Sequence, residues 1–521
     1  MPHRYLSSLV NIGATAIVVA IIGLSFFTLS PQFDPHLNSD HAVHVLMTYD
    51  LQLPEDLYYW GQNRLGSLVP IMAHYGMKVI PLSPVQVLGL VNYGTLLVSY
   101  LCFTRFFRHA LSRILLAIAF FLPLKLYIEI IQIGQPYGGQ FACLGLASMG
   151  LKWLLNQWST ASLIRRRTVL GLTMGTMTAS LWMSDFSIVY WGIGLGAIAY
   201  YLFRTLSPRE RRMAYPWAFL DTVTIGIMGV LSLSFLRLAK HSAHQSGAYT
   251  KFNTLEEFVD LVTRMGQSIW KNLQFQGEDI WVSIFAITSI IVAGLVIYSV
   301  ARYGKTLRNL DRSIWLGAWG LCSGCSLLVL LSSNWVYNPD HIPQRYFSVV
   351  YLLAWFTVLL IREASPKAMQ RCLSIGLIVL AIASGMSLLP RMLDPNPPRV
   401  VQLEALKSLA PAAFIGNYWQ SYVLCMANPE LFACTPYDRD GEVGCPKGNG
   451  QPYQAKIPVG STIRCKRCVE KVLESASIYF VKGKWFEKFP KRIEQFGYCF
   501  QRSGPATKVG QYTLRPYRRL E

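Results

Sequence analysis

Eleven apolar stretches, each close to the roughly 20 residues that a membrane-spanning helix needs, constrain this chain more than any other feature. They lie at about 10–30, 84–104, 114–132, 139–156, 168–184, 187–203, 215–237, 279–301, 313–333, 345–361 and 373–389. In hydrocarbon every backbone polar group must be satisfied within its own segment, so such stretches fold as helices. They explain why only 15% of the chain is charged, against roughly 25% in a soluble domain, and why mean hydropathy is +0.32. The fold class read from this is an all-α polytopic membrane protein with about 11 transmembrane helices. Disorder, collagen and a small disulfide scaffold are excluded.

The formal net charge of +20 follows the same layout. Nineteen Lys and Arg residues fall in alternate segments between the stretches. They run from Arg4 through Arg105, Arg108 and Arg113, the Arg165–Arg167 run, Arg204 to Arg212 and Arg302 to Arg312, to Arg362, Lys367 and Arg371. Only Glu210, Asp311 and Glu363 oppose them. By the positive-inside rule these segments face the cytoplasm, so the N-terminus is expected inside and the C-terminus outside. The first stretch reads as an uncleaved anchor, since SFFTLSPQF after it lacks a small-x-small cleavage site. The basic charge is thus topology rather than a nucleic-acid footprint.

The expected division is a transmembrane module over 1–389, with a long outer loop at 31–83, and an extracytoplasmic domain over 390–521. PRMLDPNPP (390–398) reads as the linker. Runs such as SIYFV (477–481) and Tyr512-Thr-Leu, separated by Gly and Pro turns, point to a small α/β or β-rich domain. Six of the 11 cysteines fall there: Cys425, Cys434, Cys445, Cys465, Cys468 and Cys499. An even set in an oxidising compartment reads as up to three disulfides. The rival is a zinc knuckle at Cys465-Lys-Arg-Cys468, which lacks a partner CxxC.

The polar chemistry gathers in the outer segments. NSDHAVHVLMTYDL opens with a helix-capping Asn/Ser, so Asp40, His41 and His44 crowd the first turns of a helix near the membrane surface, a pattern that could form half of a divalent-metal site. The aromatic segment LYYWGQNRLGSLVP reads as an interfacial anchor, which leaves Arg64 unexplained. Lys125 and Glu129 stand at i and i+4 near the outer end of the third stretch, placed to pair or to line a cavity. Asp185 tips the short turn WMSDFS. Arg345 opens the tenth stretch from the outer side, against the charge bias, beside Asp340, His341 and Tyr346, and so suggests a held anion. Gln135, Tyr137 and Gln140 offer hydrogen bonds suited to hydroxyl-rich ligands.

A first span, a long outer loop carrying Asp40 just past the membrane, the WGQNRLGSLVP stretch, the late outer Arg345-Tyr346 pair and a soluble tail containing GNYWQSY together resemble the GT-C superfamily of integral membrane glycosyltransferases. The nearest likeness is to bacterial enzymes that use polyprenyl-phosphate sugars. The resemblance implies a GT-C-like fold in the inner (plasma) membrane. It implies a polyprenyl-phosphate sugar donor and an extracytoplasmic glycan, lipid or protein acceptor. It also implies an acidic base or metal ligand at Asp40. Many members carry a second acid directly after that position, where this chain has His41, so Asp185 is expected to replace it. No cofactor is implied with certainty, and a divalent metal is left open.

The chemistry asks for the same groups independently. A lipid phosphate leaves well once a cation stabilises its charge, and Arg345, Arg64 and Lys125 are the candidates. An acceptor hydroxyl needs a carboxylate to take its proton. His41, His44, Gln135, Tyr137, His341 and Tyr346 are the candidate substrate contacts. Direct displacement would invert the anomeric centre. The rival readings are a transporter or flippase for a lipid-linked saccharide, which the absence of internal repeats disfavours, and an accessory subunit of an envelope-glycan complex.

Overall fold

A computed structural model of the chain describes residues 2–157, 161–192, 195–196, 208–243, 251–277, 279–308, 313–334, 336–337, 342–438, 445, 465–483 and 487–520. Seven helical segments among them are long and apolar enough to cross a bilayer: Asn11–Leu29, Pro84–Thr104, Val223–Ser242, Ile280–Gly304, Ile314–Leu331, Gln344–Ala364 and Lys367–Met392. The chain is an integral membrane protein of mostly helical fold, with a strand-rich C-terminal region.

Helix α1 (Pro2–Leu29) leads into the first loop, where α2 (Ser39–Tyr49) and α3 (Leu68–Met77) form before α4 (Pro84–Thr104). The stretch expected at 114–132 is not one span. Helix α5 (Ala110–Phe121) ends early because Pro123 cannot continue it and drives Leu122 to φ −130° and ψ 56°. The chain resumes as a 3₁₀ segment at Lys125–Ile130. Helices α6 (Tyr137–Gln157) and α7 (Leu163–Met183) match two more expected stretches. They carry Gln140, Ser148 and Lys152, and Arg165 to Arg167, and are more polar than the seven. The stretch at 187–203 runs into residues outside the described set.

After α8 (Pro208–Ser242), the segment before the next apolar stretch holds a further helix. This is α9 (Leu255–Leu273), opened by a capping box between Thr254 and Glu257. Its buried Leu261 joins Leu330, Leu331 and Phe347 at the end of the bundle, while Leu255, Val259, Ile269 and Trp270 on the adjoining face are exposed. Helices α10 (Ile280–Arg308), α11 (Ser313–Leu331), α12 (Ser348–Ala364) and α13 (Lys367–Ser387) complete the bundle.

An edge-to-face aromatic cluster holds the bundle together. Phe103 meets Phe356 at 5.0 Å, Phe106 meets Trp315 at 5.0 Å, and Trp319 meets Phe356 at 5.3 Å between ring centroids. Basic segments close the same end. The Glu363 carboxylate accepts from the backbone N–H groups of Arg108 and His109 at 2.9–3.0 Å, Arg362 donates to Ser112 and Ser374, and Lys152 donates to the Arg105 carbonyl.

At the other end of the bundle, the tail builds one mixed sheet from β1 (Ala412–Gly416), β2 (Phe432–Pro436), β3 (Ile478–Val481), β4 (Arg492–Gln495), β5 (Tyr498–Arg502), β6 (Thr507–Val509) and β7 (Tyr512–Arg519). The order is β2-β1-β3-β7-β5-β4, with β6 on β7; β1 is parallel to β2 and β3, and the remaining pairs are antiparallel. Helices α14 (Tyr418–Cys425) and α15 (Lys466–Glu474) pack on it. The six tail cysteines pair as Cys425–Cys434, Cys445–Cys499 and Cys465–Cys468, so the CxxC is a disulfide rather than half of a knuckle.

The tail is clamped onto the first loop. The expected linker is held down, with Arg391 donating to the buried Asp34 carboxylate at 2.6 Å and His36 meeting Asp394 at 2.7 Å. Between CxxC cysteines, Arg467 reaches Asp56 at 2.5 Å and Asp50 at 3.2 Å and lies 5.2 Å from the Trp60 ring. Burial pushes the Asp50 pKa up, but hydrogen bonds and charge from Lys471 and Arg467 outweigh it and hold the carboxyl below its ordinary value. Tyr58, Tyr59 and Trp60 are therefore not lipid anchors. Tyr59 and Trp60 are buried beneath the tail, where Trp60 meets Tyr422 at 6.3 Å, and Tyr59 meets His44 of α2 at 4.8 Å, whereas Tyr58 is buried with Trp182 and Ala239 of the bundle.

Candidate active site

The site begins with a helix cap. Asn38 stands before α2, its side chain accepts from the backbone N–H groups of Asp40 and His41, and the His41 ring accepts from the Asn38 N–H at 2.9 Å. This turn presents the half-buried Asp40 from the first turn of α2, while His41 and His44 of the same helix are buried. Gly134 holds the turn from behind. At φ +135° it adopts a backbone that side chains rarely allow, and a Cβ there would stand 2.7 Å from His41 Cδ2.

Asp40 opens onto a cavity of about 920 Å³ between one end of the bundle and the tail. Arg345, beside it on the cavity wall, brings its guanidinium to 3.5 Å from Asp40 Oδ2. The Tyr418 hydroxyl, from the first turn of α14, donates to Asp40 Oδ1 at 2.6 Å, and the Tyr59 hydroxyl donates to the Asp40 carbonyl at 3.0 Å. Arg345 is itself fixed. Its carbonyl accepts from Tyr137 at 3.1 Å and from Ser348 at 2.6 Å, and its guanidinium lies 5.2 Å from the Tyr346 ring centroid and donates to the Tyr346 hydroxyl at 3.4 Å. The carboxylate thus has one short neutral donor and one long charged one. The guanidinium keeps N–H capacity for a second anion.

The cavity has two kinds of wall. Ile188, Val189, Val329, Leu330 and Val349 from the bundle are apolar, whereas Gln62 from the first loop and Asn417 and Gln420 from the tail are amides. Arg64 also lines it, on a turn closed by a Tyr58–Gly66 bridge and docked by a Leu65–Ser184 bridge. The close approach at Gly66, where a Cβ would meet the Trp182 carbonyl at 2.7 Å, brings the Asp185 turn to the same cavity.

The structure brings Asp40, Arg345, Arg64, Asp185, Gln135, Tyr137 and Tyr346 to the lining of one cavity. It separates others. Lys125 pairs with Asp279 at 2.7 Å rather than with Glu129 and is not on the wall, because the break at Pro123 turns its segment aside. Its expected place among the cations is taken by Lys251, which lines the cavity on a strand-like residue pair where Phe252 bridges Ser333. His41 and His44 do not touch the cavity. His41 is a capping group, and burial, helped by neighbouring His41, lowers the His44 pKa to about 3, which keeps its ring neutral. Gln140 is buried against Ser187 at 3.0 Å. Asp185 carries an ion pair with Lys240 at 2.7 Å, so its charge has a counter-ion that Asp40 lacks at that distance. His341 and Asp340 lie outside the described residues. Among the described residues, no group of three or more His, Cys, Asp or Glu stands together as a metal site.

Sequence reasoning missed Tyr418 and Trp419 as site residues. The signal was the run NYWQ, but nothing local tells a tail residue that it will reach a carboxylate 378 positions earlier.

No protein-family model matches the chain, and no curated protein matches it. Solved structures do show likenesses of layout. Against ArnT from Cupriavidus metallidurans in the apo state, identity is 11% and the TM-score 0.49, with 97% of this chain and 98% of that chain covered. The same protein bound to undecaprenyl phosphate gives 12% identity and a TM-score of 0.45 over 96% of this chain and 97% of that one. The archaeal oligosaccharyltransferase AglB from Archaeoglobus fulgidus, in complex with an inhibitory peptide and a dolichol-phosphate, gives 10% identity and 0.46, covering 90% of this chain and 69% of that chain.

Proposed function

We propose that this protein is an integral membrane glycosyltransferase of the GT-C kind. In this reading it moves a sugar from a polyprenyl-phosphate donor to an extracytoplasmic acceptor, with inversion at the anomeric carbon. The observation that carries the proposal is the shared wall on which Asp40 and Arg345 face each other at 3.5 Å, between an apolar surface of membrane helices and a polar surface of the tail.

The apolar wall suits the lipid chain and the guanidinium suits its phosphate. Arg64 and Lys251 add positive charge on the same wall. The acceptor hydroxyl attacks the anomeric carbon and its proton passes to the Asp40 carboxylate. The bond from that carbon to the phosphate oxygen breaks, and the electron pair leaves on the phosphate, which Arg345 stabilises. The Tyr418 hydroxyl fixes the orientation of Asp40 at its other oxygen. No step is routed through a metal ion.

The membrane is taken to be the inner (plasma) membrane. The basic segments gathered at the end of the bundle away from the cavity support a cytoplasmic N-terminus and an outer site. Residues 1–389 form the transmembrane module and 390–521 the outer domain.

Asp40→Asn keeps the helix cap and a hydrogen-bond acceptor but removes the proton acceptor. In a deletion strain, the variant should insert and fold normally yet lower the transferred glycan by about 10²–10⁴-fold. Mass analysis of envelope glycans reads the outcome. Full restoration by a folded Asp40→Asn protein would reject the proposal.

A further inference from the structure

We infer that Trp419, Asn417 and Gln62 form a subsite for a saccharide acceptor, an inference that rests on the transfer reaction proposed at Asp40. Trp419 lines the cavity with 56% of its surface exposed, whereas the neighbouring Tyr422 is fully buried. Among the described residues of the tail, Trp419 is an exposed aromatic where the others are buried or half-buried, and a large indole left open on a cavity asks for a ligand. It follows Tyr418 directly, the residue whose hydroxyl holds Asp40, and the two rings stand edge to face at 5.1 Å. A pyranose seated on the indole therefore lies one residue from the group that orients the base.

The amides supply the polar half. Gln62 Oε1 and Asn417 Oδ1 are buried and have no hydrogen-bond partner among the described residues, although both side chains line the cavity. Buried acceptors without donors are uncommon, and a ligand rich in hydroxyls would satisfy both. The Asn417 side chain is held by its own N–H donation to Gln420 Oε1 at 2.7 Å. Gly483 leaves room for that pair, since a Cβ there would stand 2.5 Å from Asn417 Nδ2 and 2.7 Å from Gln420 Oε1. An apolar ring face beside uncharged acceptors matches a sugar, with one C–H face and hydroxyls on its rim. None of the three groups is charged, so nothing in them selects an ionic headgroup.

The test uses the full chain in nanodiscs of phosphatidylethanolamine and phosphatidylglycerol, read by saturation-transfer NMR. The probes are methyl glucoside, methyl mannoside, chitobiose and, as comparator, an uncharged tripeptide. At least one saccharide should bind with transfer strongest on its C–H face. Trp419→Ala should weaken it about tenfold, as expected when one aromatic contact worth roughly 1.4 kcal/mol is lost. Trp419→Phe should retain part of the binding, and Asn417→Ala should weaken it several-fold.

Equal binding by wild type and Trp419→Ala, binding of the tripeptide but no saccharide, or no binding by any probe would overturn the inference. Release of sugar from a polyprenyl-phosphate donor is followed separately. Its absence alongside Trp419-dependent saccharide binding would reject the transferase and leave the saccharide site standing; donor release with Trp419-independent binding would do the reverse.

Discussion

Arg467 is the residue whose removal should show most plainly how the tail is held to the membrane module. Its side chain is 14% exposed and meets Asp56, which is 3% exposed, at 2.5 Å. Asp56 also accepts from Trp60 Nε1 at 2.8 Å and from the Gln52 N–H at 2.7 Å. Arg467→Ala would leave that buried carboxylate with two neutral donors and no counter-ion, a change that typically costs about 3–5 kcal/mol. Part of the charge is relieved by water entering the space the guanidinium vacates, so we expect the low end, about 3 kcal/mol, or roughly a hundredfold rise in local opening. Hydrogen–deuterium exchange of the amides in α15 and in 52–60 reads this directly. The pair Arg467→Met with Asp56→Asn removes the stranded charge while keeping an acceptor for Trp60, and should return exchange to within about tenfold of wild type. Exchange in Arg467→Ala within threefold of wild type, or a double variant as fast as the single one, would refute the clamp.

Non-reducing alkylation and mass spectrometry should label Cys102, Cys143, Cys322, Cys325 and Cys372 only, and reduction should add the six tail cysteines. His44 has a folded pKa of about 3 against an ordinary 6.5, so the unfolded loop takes up a proton that the folded one refuses as pH falls below 6.5. The penalty grows by about 1.4 kcal/mol per pH unit to roughly 2 kcal/mol at pH 5, and His44→Leu should flatten the loss of α2 exchange protection between pH 7 and pH 5 by that amount. Gly134→Ala must strain the backbone and push on His41, so α2 should lose about 2 kcal/mol of protection and transfer should fall; Gly94→Ala, with open space at its Cβ, is the control.

Much of this was legible before any coordinates. Asn38 and Ser39 announce α2 because a cap is a local hydrogen bond within four residues, and the structure places Asp40 on that first turn. Span length and charge bias are likewise local or additive quantities, which is why most of the apolar stretches reappear as helices. Pro123 was legible too, since the rule that ends a helix before proline needs only the sequence, but hydropathy over 114–132 overrode it. The amphipathic α9 was hidden because a half-exposed helix has no net hydropathy, only a periodic one.

The sequence by itself determined that most of the apolar stretches form helices, which residue types crowd the loops between them and which cysteines gather in the tail, since each follows from properties of neighbours along the chain. Tertiary structure alone decided which of those residues meet. That Tyr418 reaches Asp40, that Lys251 rather than Lys125 stands on the cavity wall, and that His41 and His44 turn inward are outcomes of the tail docking on the first loop and of the break before Lys125. Contacts across hundreds of residues are selected by the summed burial and ion pairing of whole surfaces, such as Arg467 over Trp60 and Asp56, and no window of sequence contains both sides of that sum.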